Sequence, residues 1–149
     1  MAKLTVLMGP PGAGKSTWVK ENATNDDHIF KTEAIRMNKD MNRGEYMAHV
    51  RMQAMYAAEA GKSIIADGTH TIPAHRFWWL SIAHKLEMET ELIIFTTPLA
   101  ICLAVQDARE FPAPRSSVVN HWYRLKEETP KVAKETWNTI SYRHWRYDA

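Results

Sequence analysis

Residues 9–17 read GPPGAGKST and fit the pattern G-x-x-x-x-G-K-[S/T], which is typical of a loop that binds phosphate groups. An apolar run precedes them and a helix-like segment follows, as this motif requires. Glycines let backbone N–H groups point into one concavity, and the helix N-terminus adds its positive dipole. The lysine can reach the β- and γ-phosphates of a nucleotide, and the next hydroxyl can bind Mg²⁺. The predicted nucleotide-binding residues are Gly9, Gly12, Ala13, Gly14, Lys15, Ser16 and Thr17, of which Lys15 is also catalytic and Ser16 also a metal ligand.

Polar residues also follow the second and third predicted strands. Glu33 could accept a proton from an attacking hydroxyl, and Arg36 could hold a substrate phosphate. Asp67 is predicted to bind Mg²⁺ or its water shell, while Thr69 and His70 could donate hydrogen bonds to an acceptor. Each of three residues also has a simpler interpretation. Glu33 could be a solvated residue at a helix start, Asp67 part of an Asp-Gly turn, and His70 a surface residue. Because ligands of parallel sheets bind at the carboxyl ends of the strands, we expect these residues beside the phosphate loop.

Two arginines flank a proline-rich break at residues 111–114. Phosphoryl transfer gains from a cation that closes over the transferred group, and a loop between two helices can serve as a lid. Arg109 is therefore a candidate catalytic and nucleotide-binding residue, and Arg115 a candidate substrate-binding residue. The alternative is that both are solvated arginines at helix ends.

Strand-like and helix-like segments alternate along the chain, which predicts an α/β fold with a parallel sheet of about four strands flanked by helices. Ser116 or Ser117 is predicted to cap the helix of the lid. The predicted strands lie at 3–8, 28–31, 63–66 and 91–96, and the predicted helices at 15–23, 44–60, 73–86, 98–108 and 116–128, with helical sequence resuming near 130.

Composition is that of an ordinary globular protein. The chain has 149 residues, 45% hydrophobic and 24% charged, with a net charge of +2. We expect one domain over 1–149, with a helical lid at about 106–128 and an aromatic, basic tail at 129–149. There is no apolar run long enough for a membrane span and no signal segment is expected. The single cysteine, Cys102, is expected in the core of a cytoplasmic protein, and the oligomeric state stays open.

The basic and aromatic residues of the tail allow two interpretations. They could bind single strands or nucleotide bases, or they could pack their rings inward and turn their charges to water. The Trp78-Trp79 pair carries the same ambiguity.

With these motifs, residues 4–123 resemble the kinase domain of phage-type polynucleotide 5′-hydroxyl kinases, within a wider group of small P-loop kinases that includes zeta-toxin-like and gluconate-kinase-like enzymes. The similarity is strongest over Gly9–Trp18, moderate over Ile64–His70 and weak at the lid. The resemblance implies a P-loop kinase fold, ATP and Mg²⁺ as cofactors, DNA or RNA as substrate, and the cytoplasm of a phage-infected host as location.

The same resemblance implies roles for single residues. Glu33 falls where the family has an aspartate general base, Arg36 on an arginine that holds the acceptor strand, and Arg109 on a lid arginine that contacts the ATP phosphates. The chain departs from the pattern at Glu33, which is a methylene longer, and at Ala34 in place of a second aspartate. An earlier lid arginine of the family is either replaced by Gln106 or absent.

The expected activity is transfer of the γ-phosphate of ATP to a hydroxyl, the 5′-OH of a polynucleotide. The alternatives are a hydroxymethyl-pyrimidine base in phage DNA, a small nucleoside or sugar, and a non-catalytic ATP-binding module. A GTPase switch is disfavoured because Asn38-Lys39-Asp40-Met41 has the wrong spacing for N-K-x-D and comes too early in the chain.

Overall fold

Five parallel strands form the central sheet in the computed structural model, which describes residues 2–31 and 42–145. Their spatial order is β2-β3-β1-β4-β5, and every neighbouring pair is parallel. The predicted α/β class and parallel sheet are thus confirmed, with one strand more than expected. The strands are β1 (Lys3–Met8), β2 (Asp27–Lys31), β3 (Ser63–Asp67), β4 (Glu89–Thr96) and β5 (Thr139–His144).

Helices connect successive strands, and local signals set several of their ends. Asn42 caps α2 by accepting a hydrogen bond from the Glu45 amide at 2.8 Å, and Gly61 follows that helix with a φ of 77°. Pro73 opens α3 as predicted, since its missing N–H costs nothing in the first turn. In the described residues the helices are α1 (Lys15–Asn22), α2 (Arg43–Glu59), α3 (Pro73–Lys85), α4 (Leu99–Asp107), α5 (Arg115–Glu128) and a 3₁₀ helix (Thr129–Lys134).

The C-terminal segment is where the secondary-structure prediction is wrong. The helix predicted to resume near residue 130 is a single 3₁₀ segment, and the chain then forms β5 along the edge of the sheet. Neither Ser116 nor Ser117 caps α5, because that helix already begins at Arg115 and Pro114 is its N-cap residue.

Two apolar clusters cover the two faces of the sheet. Alternate side chains of β1 enter opposite clusters, Leu4, Val6 and Met8 on one face and Leu7 on the other. The first cluster includes residues of α2 and α3, and the second includes residues of α1 and α4. Cys102 is fully buried in the second, and burial raises the pKa of its thiol to about 11, which confirms it as a core residue.

Helix α5 contributes to both clusters. Val118 is buried in the cluster beside α1 and α4, and Leu125 is buried in the cluster beside α3. The helix therefore crosses from one face of the sheet to the other.

Arg76 of α3 forms a fully buried ion-pair network. Its guanidinium donates to Glu128 at 3.0 Å, to Glu135 at 2.8 Å and to the His70 carbonyl at 3.1 Å. Burial alone would raise the pKa of Glu128, but hydrogen bonds from Lys131 and Arg76 outweigh it and hold that pKa below its usual value. The network joins α3, the end of α5 and the turn after β3.

Replacing Arg76 with methionine should lower the free energy of unfolding by about 3–5 kcal/mol, because the buried carboxylates of Glu128 and Glu135 would lose the guanidinium between them and Glu128 would keep only Lys131. Urea denaturation at neutral pH measures the change. Arg115→Met is the matched control, since Arg115 pairs with Asp107 at 2.6 Å in exposed positions and should cost no more than about 1 kcal/mol. Equal effects of the two variants would contradict a structural role of the buried network.

Candidate active site

The loop between β1 and α1 is packed tightly against its surroundings. Gly12 and Gly14 have φ values of 84° and 100°, which L side chains rarely adopt. A Cβ on Gly12 would lie 2.4 Å from the carbonyl oxygen of Cys102, so any larger residue would clash there. The loop therefore owes its shape both to its own glycines and to the close approach of α4.

Lys15 lies within this loop and is 8% exposed. Its Nζ donates to the carbonyl oxygens of Gly9 at 2.8 Å and Pro10 at 2.7 Å. These contacts hold the ammonium group over the loop, where a bound phosphate would meet it.

The N-terminus of α1 follows the loop directly. Gly14 is its N-cap residue, and none of the described side chains caps the first turn. First-turn N–H groups lack helical partners and carry partial positive charge, so they suit a phosphate. Ser16 and Thr17 are exposed in this turn, where their hydroxyls can reach a ligand.

Asp67 ends β3, the strand beside β1, and is 8% exposed. The turn after it contacts the phosphate loop directly, because the Gly9 amide donates to the Thr69 carbonyl at 2.9 Å. The structure thus brings Asp67 and Thr69 to the same sheet edge as Lys15 and Ser16.

These residues fit a magnesium ion that is bound together with nucleotide phosphates. Mg²⁺ commonly takes one or two carboxylates plus phosphate oxygens and waters, not an all-protein cage. Ser16 supplies a hydroxyl and Asp67 a carboxylate, and the described ranges contain no cluster of three or more His, Cys, Asp or Glu that could hold a metal. Ser16 and Asp67 therefore stay the predicted metal ligands.

His70, predicted to contact substrate, is only 2% exposed. The Trp79 indole donates to its Nε2 at 3.1 Å, so Nδ1 carries the proton and donates to the Leu7 carbonyl at 2.7 Å. Burial lowers the pKa of His70 to about 4, with smaller contributions from His75 and Lys15. Neither ring nitrogen is open to a ligand in this arrangement, which gives His70 a structural role.

Glu33 and Arg36 lie outside the described residues. β2 ends at Lys31, two positions before Glu33, and Lys31 is in register with Asp67. Adjacent strands lie about 4.8 Å apart, so the chain leaves β2 about two strand spacings from β1. The roles of both residues stay predictions.

The predicted lid, at about residues 106–128, covers the last residues of α4, the loop at 108–114 and α5. Arg109 is exposed just after α4, and the exposed Arg115 pairs with Asp107. Buried Gln106 accepts a hydrogen bond from the Ala113 amide at 2.8 Å, which fixes the loop near its end. No contact of Arg109 or Arg115 with the phosphate loop is described, so their roles too stay predictions.

Sequence reasoning passed over Thr97, which lies directly after β4. Its hydroxyl donates to the Ala13 carbonyl in the phosphate loop at 2.7 Å, and its own carbonyl accepts from Trp122 of α5 at 3.1 Å. A polar residue at the end of a buried strand beside the phosphate loop was the available signal.

Residues 4–130 match a protein family described as an AAA domain. The chain belongs to this family. A toxin–antitoxin structure, PezAT of Streptococcus pneumoniae, is similar with a TM-score of 0.68 and 16% identity over 97% of this chain and 68% of that one. The structure of the Pnkp1/Rnl/Hen1 RNA repair complex matches with a TM-score of 0.64 and 18% identity over 87% of this chain. This chain spans only 46% of that one.

The Mycobacterium tuberculosis APS kinase CysC, solved with AMPPNP and APS, matches with a TM-score of 0.51 and 16% identity over 72% of this chain and 69% of that one. At such identities the likenesses show the fold, which is that of small P-loop kinases, as the sequence resemblance predicted. Within the described ranges, no helix has the length and apolar character to cross a membrane.

Acidification should destabilise the protein through His70. The unfolded state takes up a proton near pH 6.5 and the folded state only near pH 4, so stability rises with pH between these values. The expected loss from pH 7 to pH 5 is about 2 kcal/mol of unfolding free energy, measured by urea titration at each pH. His70→Asn should remove this part of the pH dependence, since asparagine does not titrate and tolerates the positive φ of 47°. A slope unchanged in His70→Asn would contradict the assignment.

Proposed function

We propose that this protein is an ATP- and Mg²⁺-dependent kinase that transfers the γ-phosphate to a hydroxyl, the 5′-OH of a polynucleotide. The observation that carries the proposal is the convergence at one sheet edge of the phosphate loop, Asp67 and the end of β2. The phosphate loop, the Asp67 carboxylate and the last residue of β2, Lys31, thus lie at the same edge of the sheet, and Glu33 follows Lys31 by two positions in the sequence.

The donor side follows from the loop. Lys15, the first-turn amides of α1 and the hydroxyl of Ser16 would hold the β- and γ-phosphates. Magnesium bound by Ser16 and Asp67 would neutralise phosphate charge during transfer. Catalysis then consists largely of positioning and electrostatic stabilisation.

On the acceptor side, the hydroxyl oxygen bonds to the γ-phosphorus while the bond from that phosphorus to the bridging oxygen of ADP breaks. Glu33 accepts the proton that the hydroxyl loses, and Arg36 holds the acceptor. Arg109 would close over the transferred group.

Three lines support a polynucleotide as acceptor: the sequence resemblance to polynucleotide kinases, the structural likeness to a chain of an RNA repair complex, and exposed aromatic residues beside basic ones in the C-terminal third. Tyr123 and Tyr142 are about half exposed, so base stacking is sterically open to them.

An acceptor panel with γ-labelled ATP tests this proposal. We expect label on 5′-OH DNA or RNA oligonucleotides, and the comparison of the two decides between DNA and RNA. Label only on hydroxymethyluracil DNA, nucleosides or gluconate-like acids would contradict the polynucleotide 5′-OH as acceptor but would support kinase activity. Weak ATP turnover that no acceptor increases would favour an ATP-binding module without transferase activity.

Lys15→Ala should lower phosphoryl transfer by at least about 10²–10³-fold, because the cation at the transferred phosphate is lost. Initial rates with saturating acceptor measure the effect. Lys20→Ala, an exposed lysine in the last turn of the same helix, should leave the rate near wild type. Equal rates for the two variants would remove Lys15 from the mechanism.

Glu33→Gln should lower kcat by about 10²–10⁴-fold while ATP affinity changes little, because the amide cannot accept the proton. Single-turnover transfer and equilibrium binding of an ATP analogue separate the two effects. Exposed Glu59→Gln serves as the carboxylate control. Near-normal turnover in Glu33→Gln would mean that another group is the base.

A further inference from the structure

Thr97 is placed where a helix cap would be expected, yet it does not cap its helix. It immediately precedes Pro98, the N-cap residue of α4, and the first turn of that helix has no side-chain cap among the described residues. Its hydroxyl instead donates to the Ala13 carbonyl at 2.7 Å, across 84 positions of sequence. Thr97 is 3% exposed, so this contact is shielded from water.

The contact has a geometric consequence for the phosphate loop. The peptide between Ala13 and Gly14 is planar and trans, so its C=O and N–H point in opposite directions. With the Ala13 carbonyl held against Thr97, the Gly14 N–H is turned to the opposite side of the loop. That amide belongs to the N-cap residue of α1, whose N–H groups form the anion-binding concavity.

Helix α5 in turn fixes Thr97. The Trp122 indole donates to the Thr97 carbonyl at 3.1 Å, and the Lys126 ammonium lies 4.3 Å from the centre of the Trp122 ring. The neighbouring residue of α5, His121, forms a hydrogen bond with the Thr71 hydroxyl at 2.8 Å in the turn after β3. Consecutive residues of α5 thus contact the two turns that follow the strands on either side of β1.

We propose that Thr97 is a positioning residue for nucleotide phosphates, that it orients the Ala13–Gly14 peptide, and that Trp122 holds it in place. The inference rests on the proposed binding of ATP by the loop, but not on which hydroxyl receives the phosphate. Thr97 acts through the loop backbone and does not touch the nucleotide.

The test measures binding of ATP and of inorganic tripolyphosphate by calorimetry, with no acceptor present. Thr97→Val keeps the shape of the side chain and removes its hydroxyl donor. It should lower the affinity for both ligands by about tenfold, the effect of one buried hydrogen bond. Thr97→Ser restores the hydroxyl and should bring affinity back toward wild type. Trp122→Phe should weaken binding in the same direction, and less than additively when combined with Thr97→Val.

Thr90→Val is the matched control for a general loss of stability. Thr90 is 4% exposed and its hydroxyl bonds to Asn138 at 3.0 Å; it lies near the start of β4, the strand that Thr97 follows, and away from the phosphate loop. This variant should be destabilised to a similar degree in thermal unfolding, with unchanged affinity for tripolyphosphate.

Three results would overturn the inference. The first is Thr97→Val binding tripolyphosphate as tightly as wild type, and the second is Thr97→Ser binding it as weakly as Thr97→Val does. The third is a loss of tripolyphosphate affinity in Thr90→Val as large as that in Thr97→Val. A wild-type protein that binds neither ligand would overturn it together with the proposed function. A wild-type protein that binds both but transfers phosphate to no acceptor would refute only the kinase proposal, while the Thr97 comparison would still decide this one.

Discussion

A parallel sheet confines its chemistry to one edge, because all its strands end on the same side. In this chain β3 and β4 flank β1, so the turns after them lie on either side of the phosphate loop. Two hydrogen bonds tie those turns to the loop, Gly9 to the Thr69 carbonyl and Thr97 to the Ala13 carbonyl. The site therefore depends on strand order first and on side-chain chemistry second.

The loop itself combines buried charge with backbone dipoles. Lys15 is almost fully buried, and a buried ammonium group is costly unless it is well hydrogen-bonded. Carbonyls of Gly9 and Pro10 provide such bonds. Both are neutral acceptors that satisfy N–H donors of the buried ammonium group.

The sequence predicted well what is locally encoded. The phosphate loop was predictable because its glycines, lysine and hydroxyl must be adjacent in sequence, and β1 and β4 because strands buried on both faces are nearly continuous apolar runs. β5 was missed because it is an edge strand, TISYRH, with exposed Tyr142, Arg143 and His144, so it has no such run. The proline at 130 and the helix-like residues before it further favoured a helix.

Long-range partners explain what the site prediction lacked. The chemistry of histidine suggested a ligand contact for His70, but the residue is buried and its Nδ1 bonds to the Leu7 carbonyl, 63 positions away. Arg76 drew no attention because its partners Glu128 and Glu135 are 52 and 59 positions distant. The partner of Thr97 is also distant, since Ala13 lies 84 positions away and no residue near Thr97 in sequence predicts that contact. For Glu33, Arg36 and Arg109 the sequence remains the source of the assignment.

Helix α5 packs in both apolar clusters, so both faces of the sheet depend on it. Val118 and Leu125 close opposite faces of the sheet, so neither face can be finished before this helix docks. The first hundred residues include β1, β3 and β4 but neither Val118 nor Leu125, so both apolar layers stay incompletely covered without the last third of the chain. The same third supplies Trp122, whose contact with Thr97 connects this helix to the phosphate-binding loop.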